Sequence, residues 1–147
     1  MHKAKRWRYY CDFCKKAGGS GGHMARHEKH CTMNPDRECG VCFNMLEIER
    51  KPMSELVALL PDGKGYLQEE QDEMISYGTL QKEAEKAMPA LREATENCPA
   101  CIMAALRQAG IPIPMVESFN FTKEMASIWA DINHVNAMSD YDRSHYC

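Results

Sequence analysis

Three Cys-x-x-Cys pairs constrain this chain more than any other feature. Cys11-Asp-Phe-Cys14, Cys39-Gly-Val-Cys42 and Cys98-Pro-Ala-Cys101 take up six of its eight cysteines. Two residues between thiolates let both sulfurs reach one ion from a tight turn, whose backbone N–H groups also stabilise the sulfurs. A disulfide framework suits short exported chains, and neighbouring Cys-x-x-Cys residues are awkward partners for structural bridges. The opening Met1-His2-Lys3-Ala4-Lys5-Arg6-Trp7 leads into cysteine and charge rather than an apolar stretch, so no secretory signal is expected. That points to reduced thiols in a cytoplasmic setting, with zinc as the metal matched to these ligands.

Around the first pair the residues already suggest a site. Arg6-Trp7-Arg8-Tyr9 alternates charged and aromatic side chains, a short strand signal, and Gly18-Gly19-Ser20-Gly21-Gly22 reads as a turn. His23 to Cys31 can form a helix that Asn34-Pro35 terminates. On it His27 and Cys31 lie four apart and share a face, while His30 is a rival ligand three apart. The spacing Cys11-x2-Cys14-x12-His27-x3-Cys31 resembles the two-cysteine, two-histidine zinc-finger family in its Cys-Cys-His-Cys variant, over residues 7–31. The resemblance implies a ββα unit with Cys11 and Cys14 as hairpin ligands and His27 and Cys31 as helix ligands. Tyr9 matches the family's aromatic before the first ligand, and Met24 its apolar helix position. The family's central aromatic falls on Gly18, so the small core is thin and metal must carry most of its stability.

Cys39/Cys42 and Cys98/Cys101 are separated by 55 residues and together complete a second set of four, leaving only Cys147 unassigned. Each pair directly precedes a helical segment, Phe43 to Ile48 and Ile102 to Arg107, and thiolates at helix starts are favoured by unpaired N–H groups and the macrodipole. Such a site would cross-link the body over a long range. In a rival partition Cys11/Cys14 joins Cys39/Cys42, leaving Cys98/Cys101 free or redox active. The first arrangement calls for two zinc ions per chain and the rival for one.

Beyond the finger the chain reads as mainly α. Pro52 suits a first helical position, with Met53, Leu56, Val57, Leu59 and Leu60 following and Pro61-Asp62-Gly63 as the stop. Residues 62–78 read as a loop or short helix. Thr79 is expected to cap a helix from Leu80 to about Asn97, in which Pro89 predicts a kink or break. Pro99 and Gly110 bracket another helix. Ile111-Pro112-Ile113-Pro114 reads as an extended linker. Thr122 is expected to cap a last helix to about Ala137, whose Met125, Ile128, Trp129 and Ile132 form a stripe that reads as core, with a partner groove as the alternative. The fold class expected is thus mainly α with a small N-terminal ββα zinc finger and a helical body cross-linked by a second zinc site. The division falls at 1–37 and 38–147. No apolar run approaches the ~20 residues that span a bilayer, so no membrane association is expected.

Charge separates the same two regions. Through Arg37 there are nine Lys/Arg against three acids, and the remaining 110 residues hold nine against eighteen. A basic end on an acidic body suits a polyanion-facing segment, or two surfaces that attract each other.

Three catalytic readings fail on the residues. Thiol redox chemistry would need strands feeding a dithiol in a βαβ pattern, and none are seen. A nuclease like the His-Asn-His family would need a hairpin between His30 and Asn34, where only three residues stand. No His-Glu-x-x-His occurs, and saturated cysteine-rich sites have no vacancy for water. The expectation is therefore no enzyme. Instead the basic finger is expected to contact nucleic acid at low specificity. If it docked as its family does, Ser20, His23 and Arg26 would face bases. Lys3, Lys5, Arg6, Arg8, Lys15, Lys16 and Lys29 would supply phosphate contacts, while Trp7 and Tyr10 could stack. The alternative is a protein–protein adaptor or assembly factor, or a homo-oligomer, in which zinc is purely structural. In its size and compact zinc modules the chain also looks similar to small zinc-finger proteins of bacteriophage and bacterial genomes, which implies a bacterial or phage-infected host cell.

Overall fold

The computed structural model describes residues 7–69 and 73–145. Lys3, Lys5 and Arg6 of the basic stretch, residues 70–72 of the acidic run and Cys147 lie outside the described residues.

The first element is a small antiparallel hairpin. β1 (Tyr9–Tyr10) pairs with β2 (Ala17–Gly18), with Tyr9 opposite Gly18 and Tyr10 opposite Ala17. Its turn closes through Cys11 N–H to the Lys16 carbonyl at 2.8 Å and Lys15 N–H to the Cys11 carbonyl at 2.9 Å. Helix α1 (Gly21–His30) follows, with extended Ser20 as its N-cap and the Ser20 hydroxyl accepting from His23 N–H at 3.5 Å. Hairpin and helix share a core of Cys11, Met24 and Cys31, with Met33 packed against it. A Cβ on Gly18 would meet the Met24 methyl at 3.1 Å, so Met24 fills the space that a side chain at position 18 would claim. The Tyr9 ring lies over Gly21 in the same way, 3.2 Å from where a Cβ would stand.

α1 begins two residues before the expected His23 and ends at His30, one residue short of Cys31, which is its C-cap. Buried Asn34 helps to close that end: its side-chain amide donates to the Glu28 carbonyl at 2.8 Å, and its oxygen accepts from Asp36 N–H at 2.9 Å.

The body is helical. α2 (Met53–Ala58), α3 (Gly63–Glu69), α4 (Glu73–Ala94), α5 (Pro99–Gln108) and α6 (Phe121–His145) follow in order. α3 packs on α4, and α5 carries α2 and α6 against it. The core joins Met53 and Leu56 of α2, Leu80, Ala84, Met88 and Leu91 of α4, and Ile102, Ala105 and Leu106 of α5. The α4 residues recur every three or four positions, so one stripe of a single helix supplies a large part of that core.

Several sequence expectations are corrected. α4 begins at Glu73, so Thr79 lies inside it rather than capping it. The helix also runs on through Pro89, which is exposed, so the carbonyl of residue 85 left without an amide partner can be met by water. Pro52 is the N-cap of α2, not its first helical residue. After Pro112 the expected extended linker turns into a 3-10 turn at Ile113–Met115 that closes over the core with Met115 buried. Asn120, not Thr122, caps α6: its side-chain oxygen accepts from Lys123 N–H at 3.0 Å, two residues earlier than expected. The Met125, Ile128, Trp129 and Ile132 stripe is not buried. Trp129 is 48% exposed and the other three are half-buried, because α6 lies on α5 along one side only. Its start is anchored by Arg92, which donates to both Glu124 carboxylate oxygens at 2.8 and 3.1 Å and to the Ser118 carbonyl at 2.7 Å.

The segment leaving α1 lies along α5. The Gln108 side-chain amide donates to the Thr32 and Asn34 carbonyls at 2.8 and 3.0 Å, and Arg107 donates to the Thr32 hydroxyl at 3.1 Å. These bonds hold the exit of α1 against α5.

Candidate metal centres

Two groups of four ligand side chains converge. In the first, the ligand atoms of Cys11, Cys14, His27 and Cys31 all lie within 4.8 Å of one another. The hairpin turn brings Cys11 and Cys14 together, and helical spacing sets His27 one turn before Cys31. The turn is tied to the helix by Asp12 N–H, which donates to the Glu28 carboxylate at 3.0 Å. Cys14 Sγ stands 3.2 Å from His27 Nε2. The Lys16 backbone N–H pulls the exposed Cys14 thiol down to about 7, whereas burial pushes Cys31 up to about 11. His30 is not in the group; its Nδ1 faces the Glu38 carbonyl at 3.0 Å.

The second group is Cys39, Cys42, Cys98 and Cys101, all buried, again with every sulfur within 4.8 Å of the others. Cys98 is the N-cap of α5 and Cys101 sits in its first turn. Cys39 and Cys42 lead into a short π turn at Cys42–Leu46, closed by Glu47 in the left-handed region. This turn replaces the ordinary helix expected after the pair. Cys39 Sγ is 3.7 Å from Cys98 Sγ, and Cys42 Sγ is 3.5 Å from Cys101 Sγ. A tetrahedral zinc with bonds of ~2.3 Å to sulfur sets S···S edges of about 3.8 Å, whereas a disulfide holds its sulfurs at ~2.05 Å. The spacing therefore matches coordination and not a bridge.

Four sulfurs this close cannot all carry charge without a cation among them. In the bare cluster Cys39 and Cys98 are held below the ordinary thiol value, each chiefly by a hydrogen bond from Cys101. Cys101 and Cys42 are held above it, chiefly by their hydrogen bonds to Cys39 and Cys101 respectively. A divalent ion would displace those protons and satisfy all four sulfurs at once. The donor sets, three sulfurs with one imidazole and four sulfurs, fit zinc. The pairing of Cys11/Cys14 with Cys39/Cys42 is not the one the fold builds.

The expected nucleic-acid residues divide. Trp7 is 87% exposed, Tyr10 is 60% exposed, and Arg8, Lys15, Lys16, His23 and Arg26 are exposed around the hairpin and α1. Lys29 is instead paired with Glu38 at 3.4 Å, and the Ser20 hydroxyl is engaged in capping α1. Two residues that spacing could not single out also matter. Arg37 is buried, with Nη1 3.8 Å from Cys101 Sγ, and Asn34 fixes the exit from α1. Arg37 stands 64 positions from its partner, and no local pattern encodes such a contact.

No family model, curated protein or solved structure matches the chain.

Proposed function

We propose that this is a non-catalytic, two-zinc protein whose N-terminal unit, a ββα finger of the Cys-Cys-His-Cys type within residues 1–37, contacts nucleic acid from an acidic helical body at 38–147. The closed ligand sets support the non-catalytic part, since four protein donors leave no position for a water or substrate. The observation that carries the nucleic-acid part is a group of exposed aromatics around the hairpin, set among free cations. Trp7, Tyr9, Tyr10 and Phe13 are all at least 41% exposed, beside Arg8, Lys15, Lys16 and Arg26. Aromatic faces that stack on bases and cations that follow the phosphates suit a single strand without sequence preference. Base-specific duplex reading has less support, because Ser20 is spent on the cap and Gly22 offers no side chain.

The test is titration of zinc-loaded protein with short single-stranded and duplex oligonucleotides, followed by Trp fluorescence, with W129F isolating Trp7. Binding to single strands should weaken steeply with salt, and R8A/K15A/K16A should flatten the log–log slope by about two. No binding to either nucleic acid at low salt sinks the reading.

A second reading rests on α6, where Trp129 is 48% and Val135 64% exposed on a helix covered along one side only. That face suits a protein partner or a second copy, and the protein would then act as an adaptor. If W129A/V135A changes the oligomeric state while nucleic-acid binding is absent, this second reading takes over.

A further inference from the structure

Arg37 is 4% exposed, yet among the described residues the ion pairs are Lys29–Glu38 and Arg92–Glu124, and neither involves it. Its Nε is buried without a partner, and among the described residues its one side-chain hydrogen-bond contact is Nη1 to Cys101 Sγ at 3.8 Å. A guanidinium keeps its charge under any physiological condition, so burial without an anion is strongly unfavourable. Arginine is therefore expected this deep only beside negative charge. A divalent ion held by four thiolates supplies that charge, since the group carries a net −2 that the protein interior must balance. Arg50 repeats the pattern: its Nη1 is buried without a partner, and it lines a small cavity together with Cys42 and Cys101. The other charged residues lining that cavity are Glu49 and Lys51, which offset each other.

We propose that Arg37 is the charge-balancing outer partner of the metal at Cys39, Cys42, Cys98 and Cys101, so that the ion in the body clamps the exit of α1 in place. The inference rests on the reading that this cluster holds zinc. Arg37 belongs to the basic N-terminal stretch, three residues past Asn34, which Gln108 already holds to α5. Its guanidinium makes that attachment depend on the cluster. While the sulfurs are charged the side chain is held among them, and when the ion leaves and the sulfurs are reprotonated the burial loses its compensation. The guanidinium in turn offsets negative charge at the Cys101 sulfur, which makes the loaded site slow to react with electrophiles.

The test begins with metal content of the wild-type protein. One zinc or none overturns the underlying reading, and two zincs allow the inference itself to be judged. Zinc-loaded wild type, R37K and R37Q are then treated with an alkylating reagent, and each cysteine is followed by peptide mass mapping. Cys98 and Cys101 in R37Q should be modified at least ~10-fold faster than in wild type, with R37K in between and Cys11 and Cys14 unchanged. Equal rates at Cys98 and Cys101 in all three proteins overturn the inference. A wild-type measurement stands apart from any variant's folding. The Arg37 side-chain N–H protons should exchange slowly in the loaded protein and rapidly after zinc removal; free exchange in the loaded protein also overturns it.

Discussion

The sulfurs of Cys42 and Cys101 lie 3.5 Å apart although 59 positions separate them in the chain. Cys101 stands in the first turn of α5, whose Ile102, Ala105 and Leu106 sit in the body core, and Cys42 opens the π turn. Whatever ties the two sulfurs together therefore ties the connection from α1 to the most buried helix in the body.

Removing one of those sulfurs should cost both an ion and much of the stability. C101S is expected to carry one zinc where wild type carries two. It should lose about 3 kcal/mol or more, which for a chain of this size lowers the melting temperature by roughly 6–12 °C. Metal analysis and a thermal melt followed by circular dichroism check both. Wild-type melting with halved metal would mean that the body core needs no cross-link.

The two centres should fail differently. The N-terminal unit has only Cys11, Met24 and Cys31 as its buried core, whereas the body buries a continuous apolar set beneath the second cluster. C14S should therefore abolish amide-exchange protection across α1. Protection of α4 and α5 should stay within about tenfold of wild type. A variant that keeps α1 protected would show that Met24 and the hairpin suffice, against the dominance of the ion.

Much of this was legible from spacing. Metal ligands at fixed separations on a turn and a helix are a local pattern, so Cys11, Cys14, His27 and Cys31 could be grouped without any fold. Grouping Cys39/Cys42 with Cys98/Cys101 followed from ligand count, since two pairs of two make a complete set. Helix boundaries were less legible. Thr79 and Thr122 have the right chemistry for caps, but α4 and α6 extend past both, and a cap residue inside a helix is indistinguishable by type from one at its start. The period of Met125, Ile128, Trp129 and Ile132 marks an amphipathic helix correctly. Whether such a stripe is covered depends on the neighbouring layer, which periodicity does not encode. Nothing in the sequence sets Arg37 apart from the other basic residues, because its burial is set by a sulfur on a distant helix.

Zinc affinity of the N-terminal centre should fall with pH in a defined way. Each ligand must give up its proton to bind, so loading releases protons and lower pH weakens it. Cys31, pushed up to about 11 by burial, is protonated throughout the neutral range and contributes a constant slope there. Cys14, drawn down to about 7 chiefly by the Lys16 N–H, is largely ionised above that pH and protonated below it. The log of affinity against pH should consequently steepen below pH 7, with Cys14 alone adding about one decade per unit. Competition with a zinc indicator at pH 6, 7 and 8, using a protein lacking the second centre, measures this. A slope that stays constant across the range would show that Cys14 does not titrate there.

Two glycines should respond to alanine with opposite signs. At Gly63, which opens α3, a Cβ would stand 2.5 Å from the Gly110 carbonyl oxygen and 2.6 Å from its carbonyl carbon. Both are backbone atoms, and the Gly63 N–H is already bonded to the Ala109 carbonyl at 2.8 Å, so neither strand of chain can step aside without losing that bond. Gly110 cannot yield readily either, since it sits at φ 77° where other residues are strained. G63A should therefore destabilise by about 2 kcal/mol or more, because α3 must lift from the end of α5. Gly78 lies within α4, and a Cβ there would meet nothing within 4 Å. G78A adds helix propensity without a clash and should stabilise by about 0.5–1 kcal/mol. Denaturant melts of the two zinc-loaded variants should shift in opposite directions. A shift of the same sign would mean that the approach of α3 to Gly110 is not what fixes the corner between α2 and α4.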